Sequence, residues 1–118
     1  MNRIVVTGNV TNTPTLQFSK SGEAFLKFGI AENVSRKING EWVEEAPTFY
    51  QVTCFKAAAE ALADVLDKGM GVRVEGSLRV SKYSKDGQDR QSLEIAGDVF
   101  LVPKLKRAER PDLDEPPF

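Results

Sequence analysis

Two short stretches of this chain carry side chains whose types and spacing could do chemistry, and that chemistry is non-covalent. In Phe49–Phe55 (FYQVTCF) Phe49, Gln51, Thr53 and Phe55 form the odd set, and Tyr50, Val52 and Cys54 the even set. In Val72–Tyr83 the even positions are Val72, Val74, Gly76, Leu78, Val80 and Lys82; the odd ones are Arg73, Glu75, Ser77, Arg79, Ser81 and Tyr83. Alternate residues of a strand point to opposite faces, so the second stretch has a core side and a basic side ending in an aromatic ring. If the even set of the first stretch is also core, Phe49 and Phe55 stand on an outer face. Exposed rings bordered by arginines can stack unpaired bases and hold backbone phosphates without reading sequence. The opposite assignment, with Phe49 and Phe55 in the core and Tyr50 toward solvent, fits the alternation equally well, because strands can be apolar on both sides.

Covalent chemistry has little to work with. The chain has no histidine, the commonest general base, and its one cysteine, Cys54, lies in an apolar strand where an inert buried thiol is expected. Glu44 and Glu45 are neighbours whose side chains diverge on a strand, and Gly69, Gly71 and Gly76 lack the spacing and the following Lys-Ser/Thr of a phosphate loop. A lone cysteine without histidine forms no disulfide within the chain and assembles none of the usual zinc or iron–sulfur ligand sets. The expectation is a protein that is not an enzyme and has no metal site and no cofactor.

The elements that must position those residues are mostly strands. Strand signals run over Asn2–Val10, Thr15–Ser19, Glu23–Ser35 and Thr48–Phe55. Asn39-Gly40 favours positive φ and marks a tight hairpin turn, and Asp86-Gly87 marks a second one between Gly71–Tyr83 and Arg90–Val102. Between the hairpins the period changes: Ala58, Ala61, Leu62, Val65 and Leu66 recur at helical spacing, with Gly69 where a left-handed C-terminal cap would stand. One helix inserted between the third and fourth strands of an antiparallel set fits an all-β, five-stranded Greek-key barrel, the OB-fold. From Pro103 onward neither periodicity nor apolar content supports folding.

The chain's 118 residues, 41% hydrophobic and 28% charged, suit one compact domain. No apolar run approaches the roughly 18 residues of a membrane span, and the start lacks a secretory signal pattern, so no membrane partner and a cytoplasmic location are expected. The net charge of −1 hides a split: residues 109–118 hold four acidic residues and one basic, residues 1–108 hold 13 acidic and 15 basic. The body is weakly basic, too weakly to announce nucleic acid by itself.

Four stretches, "MNRIVVTGNV", "TPTLQFSKSGEAFLKFGIA", "GEWVEEAPTFYQVTCFKAAAEALADVLDKG" and "GVRVEGSLRVSKYSKDGQDRQSLEI", resemble in order the bacterial single-stranded DNA-binding protein family over residues 1–103, and the closing "DLDEPPF" is similar to that family's acidic tip. The resemblance implies an OB-fold subunit, usually a homotetramer, that binds and protects single-stranded DNA in replication, recombination and repair and is nucleoid-associated. By position it implies base stacking by Phe49, Phe55 and Tyr83. A further stacking position of the family falls near Ser35–Arg36 and is not aromatic here. Trp42, the only tryptophan, follows the Asn39-Gly40 turn and is a candidate for that role or for packing beneath the loop. Arg3, Arg36, Lys37, Lys56, Arg73 and Arg79 are candidates for phosphate contact, with Lys82 of opposite parity and weaker standing.

The resemblance also implies three segments: a DNA-binding domain over 1–103, a short linker over 104–110 and a tip over 111–118. In the tip, Asp112, Asp114, Glu115, Pro117 and Phe118 are expected to dock replication, repair and recombination proteins. A terminal ring with a free carboxylate suits a pocket with an apolar floor and a basic rim. Two features depart from the family. Pro103 to Pro111 gives only nine residues of tether, about 30 Å at full extension, and Pro116 replaces the usual isoleucine before Pro-Phe, removing an apolar knob and an N–H donor. A dimeric primosomal replication-restart protein and an OB-fold interaction module without strong DNA binding are the alternatives.

Overall fold

The computed structural model describes residues 1–102. The linker and the tip residues Asp112, Asp114, Glu115, Pro117 and Phe118 lie outside them. Six strands and one helix follow in order: β1 Ile4–Val10, β2 Thr15–Phe18, β3 Ala24–Ile38, β4 Glu41–Phe55, α1 Lys56–Ala63, β5 Gly71–Lys85 and β6 Gln88–Val102. The sheet order is β1-β5-β6-β4-β3-β2, and a β1–β3 pairing through Asn9↔Ala31 and Val10↔Ile30 closes it. Five long strands therefore make a barrel, with β2 added along β3. Every pairing is antiparallel except β4–β6, which is parallel through Gln51↔Glu94, Val52↔Ile95 and Thr53↔Ala96. This is the expected OB-type barrel.

Both turn signals act as expected. Asn39 and Gly40 have φ of 52° and 83°, and Asp86 and Gly87 have 53° and 76°, the paired positive values of a two-residue turn whose twist matches its strands. The hairpins they close are longer than the sequence suggests: β3 continues to Ile38 and β4 begins at Glu41. Charged residues at the arm tips mask their alternation.

The helix is shorter than its periodicity predicts. It ends at Ala63 with Asp64 as its cap. Gly69 does have positive φ, 91°, but it does not cap the helix; its N–H donates to the Val10 carbonyl at 2.8 Å, and the Val10 N–H donates to the Met70 carbonyl at 2.8 Å. The segment after Asp64 is thus recruited by β1, and that pairing prevails over helix extension.

The core is the even set of β3, β4 and β5 together with odd-numbered Ile95 of β6. Leu26, Phe28 and Ile30 of β3, Val52 and Cys54 of β4, Val72 and Val74 of β5 and Ile95 of β6 are buried, and α1 and the turn after it add Ala59 and Leu66. Phe49 and Phe55 are not core; the open choice at β4 resolves to the outer face. Burial, with a further push from Asp98, raises the Cys54 thiol above its usual range, so it stays protonated and unreactive. At the barrel's bend Gly76 faces Gly97 across β5–β6. A Cβ on Gly76 would overlap the Ala96 carbonyl, and one on Gly97 the Glu75 carbonyl, so the backbones approach closely only because both lack one.

Candidate nucleic-acid interface

The outer face of the barrel follows from the core. With Leu26, Phe28, Val52, Cys54 and Ile95 inward, Phe25, Lys27, Phe49, Gln51, Thr53, Phe55, Glu94 and Ala96 face outward. Pairing sets them in rows: Phe25 opposite Phe55, Lys27 opposite Thr53, Gly29 opposite Gln51 and Ala31 opposite Phe49. Phe49 is 60% and Phe55 50% exposed, which leaves each ring with a free π-face. Six residues of strand separate them, about 20 Å. On β5, Ser77 stands opposite Ala96 and Arg79 opposite Glu94.

Phe55 and Arg79 come together on one groove of about 290 Å³, shared with Thr53, Ser77, Glu94 and Ala96. An adjoining groove of about 250 Å³ is lined by Lys27, Gln51, Thr53 and Glu94. A ring, a guanidinium and polar side chains along a shallow channel can hold a stacked base with its phosphate at the border. Lys56, directly after Phe55, has φ of 57° and reaches Glu23 at 4.0 Å with three quarters of its side chain exposed. An exposed pair of that length is easily exchanged for a phosphate.

Phe25 belongs to this site, although the sequence reading does not single it out. It stands directly across from Phe55, and facing aromatic residues on paired strands support one another. Its odd parity beside core Leu26, Phe28 and Ile30 is the signal that could have found it.

Trp42 reaches the outer side through a bulge. Between the pairs Glu32↔Thr48 and Val34↔Glu45, β3 has one residue and β4 has two. The extra residue on β4 reverses its parity. Even-numbered Trp42, which would otherwise share the face of Tyr50 and Val52, pairs with Lys37 on the side of Ala31 and Phe49. Pro47, which has no N–H to give a ladder, sits in the bulge. At its base the Tyr50 hydroxyl donates to the Glu32 carboxylate at 3.1 Å. Burial and the Glu32 charge, in that order, raise the Tyr50 phenol above its ordinary value. Arg36 lies on the opposite side of the arm, opposite Val43, with its Nε 3.2 Å from Glu45.

The remaining candidates are placed apart. Arg73 and Tyr83 share a parity but not a site, because ten residues of strand, about 33 Å, separate them. Tyr83 is 47% exposed near the β5–β6 tip, opposite Arg90. With Lys82, Ser84, Asp89, Arg90 and Gln91 it lines an open pocket of about 450 Å³. Arg73 and Arg3 both bind Glu75, at 2.9 and 2.8 Å, and the Arg73 guanidinium lies 4.7 Å from the centre of the Phe100 ring. Their charge is largely committed within the protein. Among the described residues no three His, Cys, Asp or Glu side chains gather in a possible metal site, and no helix is long and apolar enough to cross a membrane.

Comparison with known proteins finds relatives in sequence and in fold. A single-stranded DNA-binding protein of Treponema pallidum is 34% identical over 96 residues, covering 81% of this chain and 54% of that protein. One from Borreliella burgdorferi is 37% identical over 92 residues, covering 78% and 58%. The chain thus spans somewhat over half the length of these relatives. The crystal structure of a small single-stranded DNA-binding protein from Streptomyces coelicolor superposes with a TM-score of 0.76 at 24% identity, over 86% of this chain and 94% of the other, and shares the fold. Plasmodium falciparum SSB in complex with ssDNA matches with a TM-score of 0.70 at 25% identity, over 86% and 95%. The model of the single-strand binding protein family, a family of DNA-binding proteins and not of enzymes, matches residues 1–102, and the chain belongs to that family.

Proposed function

We propose that this protein binds single-stranded DNA without sequence specificity, through the outer face of β3–β4–β6–β5 and the two hairpin arms. The observation that carries the reading is the exposure of Phe49 and Phe55 on one face, with Arg79 beside Phe55 on an open groove. Stacking at Phe49, Phe55, Trp42 and Tyr83 supplies a sequence-tolerant attraction. Lys37, Lys56 and Arg79 neutralise phosphates, while Arg3, Arg36 and Arg73 do so only by releasing their carboxylate partners.

The wider reading has three parts: a DNA-binding domain over 1–103, a linker over 104–110, and a tip whose Asp112, Asp114, Glu115, Pro117 and Phe118 dock replication, repair and recombination proteins. It includes assembly as a homotetramer in the cytoplasm on nucleoid DNA. The acidic, proline-bounded sequence ending in phenylalanine supports the tip's role.

Titration with oligo-dT across a salt series, followed by Trp42 fluorescence with mass by light scattering, tests the reading. Affinity should fall linearly in log–log form with salt. Absence of binding at low salt would overturn it. Removing Phe118 should abolish docking to a partner that recognises such tips and leave DNA binding intact.

A further inference from the structure

One acidic side chain stands inside the face assigned to DNA. Glu94 is half-buried on β6 next to buried Ile95. The parallel pairing sets it beside Gln51 of β4, and the antiparallel one opposite Arg79 of β5. Both grooves of this face include it. It makes no ion pair with Arg79 or with any other described residue. A carboxylate repels a nearby phosphate, so a strand lying in these grooves turns something other than its backbone toward Glu94. Phe55 lines the same groove, and a base stacked there presents its edge across Thr53 to Glu94.

The donor pattern of that edge decides what fits. A carboxylate only accepts hydrogen bonds. On the C4–C5 edge the exocyclic amino group of cytosine donates, whereas thymine and uracil show there only a carbonyl that accepts, their N3–H lying on the Watson–Crick edge. Gln51 both donates and accepts and tolerates either base. Unpaired bases can be read on such edges because no partner strand occupies them.

We propose that Glu94, with Gln51 beside it, forms a base-edge subsite that accepts a hydrogen bond from the amino group of cytosine and so biases this DNA-binding face toward cytosine over thymine or uracil. The inference rests on the proposed single-stranded DNA binding and adds a compositional preference to it. Glu94 is a specificity-determining residue in this account, and stacking still supplies the affinity.

Oligo-dC and oligo-dU of equal length isolate the effect, since on the C4–C5 edge their bases differ only in the group at C4. The 118-residue chain should bind oligo-dC more tightly by about fivefold or more. Glu94→Gln nearly conserves shape, and its amide can donate to a carbonyl. It should raise affinity for oligo-dU and bring the ratio close to one, with the salt slope for oligo-dC unchanged. Equal wild-type affinities for the two strands would overturn the subsite while leaving DNA binding in place. A ratio unaffected by Glu94→Gln, with both affinities raised alike, would show a carboxylate that only balances Lys27 and Arg79, and would also overturn it. If neither strand binds, DNA binding itself fails.

Discussion

Replacing Phe55 with alanine separates a binding ring from a folding ring, because its two contributions differ in size. Phe55 is 50% exposed, and full burial of a phenylalanine is worth roughly 1.5–3 kcal/mol, so its burial contributes about 1 kcal/mol to folding. The cross-strand contact with Phe25 adds about 0.5 kcal/mol. Truncation should therefore lower Tm by roughly 6–12 °C, at roughly 4–8 °C per kcal/mol for a domain of this size. The variant remains folded. Loss of one stacked base costs about 1–3 kcal/mol, roughly 5- to 150-fold in Kd. Oligo-dT titration of Phe55→Ala at a temperature well below its Tm reads the second effect without the first. Phe55→Trp should restore or strengthen binding, and Phe55→Leu should restore most of the stability but little of the affinity. Affinity within about twofold of wild type for folded Phe55→Ala would refute base stacking at this ring, since a shift that small lies below the range for one stacked base.

Further perturbations address the scaffold. Gly76→Ala drives a Cβ into the Ala96 carbonyl, which backbone cannot evade cheaply; thermal unfolding should show a loss of several kcal/mol, about 2 or more. Lys56→Gly relieves a left-handed φ of 57° and should raise stability by about 1 kcal/mol, while lowering the salt slope of DNA binding by about 1 if Lys56 meets a phosphate. The folded-state Tyr50 phenol is raised above its usual value near 10. Its contribution is therefore fully present below that value and lost as pH rises through the higher folded one. Denaturant melts at alkaline pH should show this loss in wild type and a smaller one in Tyr50→Phe.

What the sequence could reveal depends on whether a feature is local. The two hairpin turns need only the positive φ that Asn-Gly and Asp-Gly accept, and both form where expected. The inward direction of Val72 and Val74 needs only alternation. At β4 alternation left two assignments, and the partners chose between them: Val52 faces Phe28 across β3–β4, and both are buried. The helix end was misread because periodicity within 56–69 says nothing of Val10, whose backbone takes Gly69 and Met70. Arg73 and Glu75 share a parity, so alternation puts them on one face, whereas Arg3 joins them only through the β1–β5 register. Phe100 under Arg73 likewise depends on β5–β6 pairing.

The site itself is the least local feature of the chain. Gln51 and Glu94 are neighbours only because β4 and β6 run parallel, a pairing that neither strand's pattern specifies. Trp42 carries the parity of the core and reaches the outer side only because β4 has one residue more than β3 between two pairs. That bulge sets Trp42 on the side of Ala31 and Phe49, away from the face of Arg36 and Val43. Inserting one residue between Asn33 and Val34 of β3 should match the extra residue of β4 and carry the paired Trp42 and Lys37 over to the face of Tyr50 and Val52. If Trp42 stacks a base, the insertion should abolish the quenching of its fluorescence by oligo-dT. Binding through Phe55 should persist, since the Phe25↔Phe55 pair lies at the far end of the strand. Quenching that survives in a folded insertion variant would show that register does not aim the tryptophan at DNA.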